Sequence, residues 1–390
     1  MYEHFKEEDE MTWERIPTTS RAAVVTEFGK PLEIREVPIP DLQRGALLVK
    51  IEAAGICGTD VHVVDGAAAA SQPIELPIIP GHEMVGRVVQ FGEDADRDSA
   101  GQQLALGDRI VFTHAACGRC FYCTVSKQPG LCKERTMYAF TTCAREPYLT
   151  GGFSEYCYVF PTSGRIRVPD EVETEWATAA SCALRSVVTS FQRLGTIESY
   201  QNVVIQGAGP LGLFATAMAN VAGANQIIVI GGPDSRLALA REWGATSTIS
   251  VAEHTRAEAR ENLVRDLTGG EGADIVMEFS GARTAFSEGL DLIRDGGRYV
   301  VTGQMGPQEV TITPVTITRR HLTILGSWSG EAAQYWRALE FLKNYRERFD
   351  FGAMITGRYH LDQVNEAMER MQRFEEIKPL ILPTLSTDAP

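Results

Sequence analysis

Residues 202–212, NVVIQGAGPLG, join an apolar run to Gly207, Gly209 and Gly212 in G-x-G-x-x-G order. NVVIQ reads as a buried strand, and PLGLFATAMANVAG, which follows the glycines, reads as a helix. A glycine turn between strand and helix lets the backbone approach a pyrophosphate, and the first N–H groups of the helix are free to donate to it. The turn, with Gly207, Gly209, Pro210 and Gly212, is therefore a candidate dinucleotide site.

Working outward, QIIVI reads as a second buried strand and DSRLALAREWG as a second helix. Strand and helix go on alternating through STIS, RENLVRDLTG, ADIVMEFS, TAFSEGLDLIRDGG, RYVVTG and LTILGS. Such alternation implies an α/β unit with a doubly wound parallel sheet. No charged residue falls between Glu198 and Asp234, but glycines, Pro210 and several Asn and Gln residues break that stretch into pieces too short for a membrane helix. Before Thr174 the texture differs. RAAVVTEFGKPLEIREVPIP, ALLVKIEAAGICG, MVGRVVQFG, GDRIVFTH and GGFSEYCYVF are short β-runs separated by turn residues, the pattern of a β-rich, barrel-like domain. After Trp328 come two amphipathic helical stretches, and IKPLILP reads as a strand returning to the first domain. The expected division is a tail over 1–20, a discontinuous β-rich domain over 21–183 and 328–390, and an inserted dinucleotide domain over 184–327. A chain of 390 residues is long enough for two cores.

A net charge of −14 argues against nucleic acid and anionic lipid as partners. The acidic opening MYEHFKEEDEMTWERIP has no apolar core and does not read as a secretory signal, so a cytoplasmic location with reduced thiols is expected. That matters for CGRCFYCTVSKQPGLC, where Cys117, Cys120, Cys123 and Cys132 are spaced C-x2-C-x2-C-x8-C. Four closely spaced thiolates fit a tetrahedral zinc with every position filled, a structural site; iron–sulfur ligation is the rival reading. A catalytic metal needs an open position and other ligands. GICGTDVH offers Cys57 and His62, and PGHEMVG offers His82 and Glu83, although each alone reads equally well as a buried thiol or a core histidine.

Taken in order, GICGTDVH, PGHEMVG, the four-cysteine loop and VVIQGAGPLG resemble the zinc-dependent medium-chain alcohol dehydrogenases, over about Arg21 to Pro383. The resemblance implies a GroES-like β-rich catalytic domain beside a Rossmann domain. It implies two zinc ions per chain, a small alcohol or carbonyl substrate and a homodimer or homotetramer. By the same resemblance Cys57, His82 and Cys182 (in AASCALRS) would bind the catalytic zinc, with Glu83 as a nearby acid and Asp60 orienting the histidine. Thr59 would take the alcohol proton and His62 would pass it to solvent, as imidazole can near neutral pH. Leu211 would pack behind the nicotinamide, Gln304 would lie near it, Lys378 would approach the pyrophosphate and Arg236 the adenosine ribose.

The coenzyme departs from pattern. VIGGPDSR puts Gly231 where an NAD-binding unit usually carries the acid that accepts the ribose hydroxyl, with Asp234 reading as the cap of the next helix. NAD is favoured over NADP. His114, just before the cysteine loop, is a candidate for the substrate cleft, and MYAFTTCAREPYLTGGF for one of its walls. Two other readings remain: a zinc-free quinone or enoyl reductase of the same fold, and a zinc-ribbon binding module with an accessory nucleotide domain.

Overall fold

The computed structural model describes residues 15–70, 73–303 and 309–384. Most of the expected N-terminal tail, and Gln304, lie outside the described residues.

Strands β1 (Thr19–Val24) and β2 (Glu33–Pro38) pair antiparallel at the edge of the first lobe. β3 (Leu47–Gly55), β4 (Glu83–Phe91), β5 (Arg109–Ala115), β6 (Tyr156–Val159) and β7 (Ser163–Arg167) form most of a seven-stranded mixed sheet. β8 (Asn202–Gln206), β9 (Gln226–Gly231), β10 (Ser247–Ser250), β11 (Ala273–Glu278), β12 (Ile293–Val301) and β13 (Thr323–Gly326) make a six-stranded parallel sheet in the order β10-β9-β8-β11-β12-β13. β14 (Ile355–Tyr359) runs parallel to β15 (Lys378–Ile381), and β15 returns to pair antiparallel with β3.

The apolar runs of the parallel strands are continuous because both faces are covered. Val203, Ile205, Ile227, Val229, Ile275 and Met277 enter one core, while Val204, Ile228, Ile230 and Val276 enter another. Successive side chains point to opposite faces, so a strand buried on both sides must be apolar at every position. The first of these cores also takes in Ala53, Val85 and Val111 from the mixed sheet. It is bridged by the helical segment Thr174–Leu194, which lies between the two sheets.

Three local features differ from the sequence reading. The helix expected over ATAASCALRSVVTSFQRLG is interrupted by a π-helical turn, Ala180–Leu184. The helix Ala285–Leu292 stops at Leu292, and β12 begins at Ile293, earlier than RYVVTG suggests. Pro233, and not Asp234, is the cap of the helix Asp234–Glu242. Among the described residues no helix is long and apolar enough to cross a membrane; the uncharged stretch holds a helix of 12 residues, Pro210–Val221.

Candidate active site

Strand register brings the first group together. Gly55 at the end of β3 pairs with Glu83 at the start of β4, and Leu380 of β15 pairs with Gly55. Cys57, His82, Glu83 and Lys378 therefore emerge from three neighbouring strand ends, and the π-helical turn delivers Cys182 from the opposite side. One donor atom from each of Cys57, His82, Glu83 and Cys182 lies within 4.8 Å of all the others. π-turns recur at functional sites because they push one side chain out of helical register.

The group is held from behind. Asp60, fully buried, accepts from the Gly81 amide at 3.0 Å and faces His82 Nδ1 at 3.2 Å. With Nδ1 so engaged, Nε2 is the nitrogen left for a ligand. The same carboxylate accepts from the Cys57 amide at 2.9 Å, which ties the cysteine's backbone to the histidine's orientation. Thr59 Oγ1 stands 3.7 Å from Cys57 Sγ. His62, on the helix Gly58–Val64, is open to solvent with 64% of its side chain exposed, and its Nδ1 lies 3.7 Å from Asp65.

Cys57 is pushed up to about 11 by its hydrogen bond to Cys182 and by burial, while the Cys182 thiol is lowered by the same bond. Burial opposes charge on His82, but the Asp60 carboxylate outweighs it and holds the imidazole well above its ordinary value. Burial pushes Glu83 up to about 7 against the pull of the Lys378 ammonium.

Lys378 reaches the same group. Its ammonium is 2% exposed, donating to Glu83 Oε2 at 2.7 Å and to the Ile56 carbonyl at 3.0 Å. In the described structure its partners are thus the acid beside the metal group and a backbone carbonyl. Sequence reasoning saw no link between the two residues, because the link depends on β15 lying beside β3. His114 lies with its ring 6.5 Å from that of His82 and accepts from the Tyr138 amide at 3.1 Å. Burial first, then Arg185 and Arg135, hold His114 well below its ordinary value, so this ring is neutral. Tyr138 stacks on it, which puts one residue of MYAFTTCAREPYLTGGF beside the group.

The second group is compact as well. Donor atoms of Cys117, Cys120, Cys123 and Cys132 lie within 4.8 Å of one another, with the Cys120 and Cys123 sulfurs 3.5 Å apart. The Cys117 amide points at Cys132 Sγ at 3.4 Å, and no cysteine of the chain is in a disulfide. Hydrogen bonding from the Cys123 amide lowers Cys120 to about 7.

At the parallel sheet, Gly207 takes φ +111° and its amide donates to the Ile230 carbonyl at 2.7 Å. A Cβ on Gly212 would stand 1.8 Å from the Gly207 carbonyl oxygen, whereas a Cβ on Gly209 would meet nothing within 4 Å. The helix packing explains one glycine and the turn explains another. Gly209 faces open space at the N-terminus of the helix Pro210–Val221, whose first N–H groups are free to donate. Leu211 is partly buried against the core beside it. Gly231 has a packing reason too, since a Cβ there would stand 2.8 Å from the Ala208 amide and Cβ, leaving no room for an acid. Arg236 lies on the helix Asp234–Glu242. It is 8% exposed, donates to the Glu376 carbonyl at 2.6 Å and lies 5.6 Å over the Phe374 ring.

Comparison with known proteins agrees with this arrangement. Residues 43–170 match the alcohol dehydrogenase GroES-like domain, and residues 210–344 match the zinc-binding dehydrogenase family. The chain is 35% identical over 368 residues to 5-exo-hydroxycamphor dehydrogenase of Pseudomonas putida, covering 94% of this chain and 99% of that one. The chain belongs to the zinc-binding medium-chain dehydrogenase family. L-threonine 3-dehydrogenase of Bacillus subtilis is 31% identical, covering 91% of this chain and 96% of the relative. The crystal structure of an alcohol dehydrogenase from Thermotoga maritima superimposes with a TM-score of 0.85 at 35% identity, covering 93% of this chain and 99% of that one. The fold is that of an α/β enzyme with a GroES-like and a Rossmann part. The protein is an oxidoreductase acting on CH–OH groups of small molecules, with zinc and NAD(P) as its cofactors. The zinc-free reductase and zinc-ribbon readings are not favoured.

Proposed function

We propose that this dehydrogenase oxidises a secondary alcohol with NAD, at a zinc site formed by Cys57, His82 and Cys182. The observation that carries the reading is the convergence of these three side chains, from segments far apart in sequence, within 4.8 Å. Two thiols and an imidazole whose second nitrogen is fixed by a carboxylate make a zinc donor set, and three protein ligands leave a position for substrate. Glu83, the fourth member, is engaged by Lys378. When bound, zinc supplies Lewis acidity toward a hydroxyl oxygen, and the nicotinamide accepts hydride. Thr59 is close enough to this centre to take the hydroxyl proton, and solvent-exposed His62, on the same helix, passes it out. The neutral His114, backed by the buried Tyr138 ring, lines the substrate side. The four-cysteine loop holds a second, structural zinc. In this reading residues 184–327 carry the coenzyme, and 21–183 with 328–390 carry the metals.

Two further features support the finer choices. The hydroxycamphor and threonine relatives are both named for a hydroxyl on a secondary carbon. For the coenzyme, the Arg236 guanidinium is buried against the Glu376 carbonyl, while Asp234 stands exposed in the first turn of its helix, an arrangement that disfavours a 2′-phosphate there. Initial rates with primary, secondary, cyclic and polyol alcohols, each with both coenzymes, test this. Secondary and cyclic alcohols are expected to lead, with kcat/KM for NAD about tenfold above NADP, a difference of ~1.4 kcal/mol. Faster turnover of primary alcohols would contradict the substrate choice, and a preference for NADP would contradict the coenzyme choice.

A further inference from the structure

Glu278 ends β11 and is fully buried, at 0% exposure. A buried carboxylate is costly unless it is paired or hydrogen-bonded. Among the described residues Glu278 forms no ion pair with Lys or Arg; its charge is met by donors from two loops at the carboxyl edge of the sheet. Oε1 accepts from Ser280 Oγ at 2.9 Å and from the Gly281 amide at 2.7 Å, and Oε2 accepts from the Gly303 amide at 3.0 Å. Its carbonyl also takes the Thr302 and Gly303 amides at 3.0 and 3.1 Å. The side chain thus fastens the loop after β11 to the loop after β12.

The glycine turn after β8 joins the same junction. The Phe279 amide donates to the Gln206 carbonyl at 2.9 Å, and a Cβ on Gly207 would meet the Ser280 amide and Cα at 3.0 Å. A Cβ on Gly303 would meet the Gly281 amide at 2.6 Å and Glu278 Oε1 at 2.9 Å. Three strand-end loops are therefore packed backbone to backbone around one carboxylate. The loop after β12 is held from its other side as well. Thr302 Oγ1 lies 3.0 Å from Ser190 Oγ, which also bonds Ser327 at 3.1 Å. Ser190 sits on the helix Arg185–Leu194, which continues directly from the π-turn bearing Cys182.

We propose that Glu278 is a positioning residue for the coenzyme: its carboxylate ties the loops after β11 and β12 together beside the glycine turn after β8, forming the single surface on which the dinucleotide lies. The proposal rests on the reading that the coenzyme binds along the carboxyl ends of the parallel strands, where ligands of open α/β sheets bind. An apolar side chain could fill the same space without desolvating a charge. What the carboxylate adds is simultaneous acceptance of backbone N–H groups from two loops, in charge-assisted bonds that set their spacing.

The test uses the full-length zinc-loaded enzyme, its Glu278→Gln and Glu278→Ala variants, and NADH as probe. Nicotinamide fluorescence gives the dissociation constant, and steady-state kinetics separate the coenzyme KM from kcat. For Glu278→Ala the NADH dissociation constant is expected to rise about 10- to 100-fold, with Glu278→Gln in between, because Gln loses the charge and turns one acceptor into a donor. The coenzyme KM should rise in step. Zinc content should stay unchanged, and kcat at saturating coenzyme should hold within about threefold, each tenfold loss there being ~1.4 kcal/mol of transition-state stabilisation. Should Glu278→Ala fail to fold, Ser280→Ala removes one donor and is expected to weaken NADH about threefold, the scale of one modest hydrogen bond. Affinity within about twofold of the parent in a folded Glu278→Gln protein, with only its melting temperature lowered, would overturn the proposal, since that change is under ~0.4 kcal/mol. A parent that bound neither NADH nor NADPH would take down the coenzyme reading along with it.

Discussion

Alcohol oxidation by the Cys57→Ala protein is expected to fall about a thousandfold or more, while NADH affinity stays within about threefold of the parent, because losing the metal's charge stabilisation removes at least ~4 kcal/mol at the transition state. The thiol is one of three side chains that converge on the centre, and no other cysteine lies within reach to replace it. The substitution leaves the supports in place: the amide of residue 57 still reaches Asp60, and Asp60 still holds His82. The glycine turn and Glu278 belong to the other sheet, so coenzyme binding has no direct dependence on the thiol. Steady-state kcat/KM and a fluorescence titration on the same preparation check both halves. Turnover within about tenfold of the parent would remove Cys57 from the centre, since tenfold is only ~1.4 kcal/mol.

The opposite pattern is expected for Cys120→Ser. The loop from Cys117 to Cys132 contains only a four-residue helix, Phe121–Thr124, and a three-residue 3₁₀ turn, Pro129–Leu131. Segments this short do not hold themselves together. Phe121, Val125 and Leu131 are 63%, 68% and 48% exposed, so apolar packing contributes little to fixing them. A few polar contacts, such as Arg135 donating to the Gly130 carbonyl at 2.8 Å, leave most of the support to the sulfur cluster, and metal bound there would contribute folding free energy. Losing ~3–4 kcal/mol should lower the melting temperature by about 4–5 °C in a chain of this size. The first effect should be on stability, with kcat at a temperature where the protein is folded falling less than about threefold. Thermal unfolding with and without a chelator checks this. A melting temperature within about 2 °C of the parent, unmoved by chelation, would deny the loop a structural metal.

The two sites differ in how far they could be read from the chain itself. The cysteine loop is local, and its spacing alone names the donors. The catalytic group is assembled by register. Cys57 and His82 stand in recognisable segments, but Cys182 came from family resemblance, since nothing in AASCALRS marks a π-turn that turns one thiol inward. The dinucleotide fold was legible because strands buried on both faces must be apolar at every position, as Val203, Val204 and Ile205 are. β14 was not anticipated, and the Lys378–Glu83 pair was missed because it exists only once β15 lies beside β3. The resemblance implies Arg236 at the adenosine ribose, and its contacts with Phe374 and the Glu376 carbonyl are visible only in the fold. Glu278 gave no signal either. A lone acid at the end of an apolar strand acquires meaning only when the loops of neighbouring strands close on it.

In the proposed reading two groups of side chains, one with an open position and one closed, each bind a zinc ion. Metal analysis of the purified protein against its two cysteine variants tests that most directly. Two zinc ions per chain are expected in the parent and one in each of Cys57→Ala and Cys120→Ser, with activity lost only in the first. A parent that holds no zinc after preparation with zinc supplied, or whose single ion survives the Cys57 substitution, would contradict it.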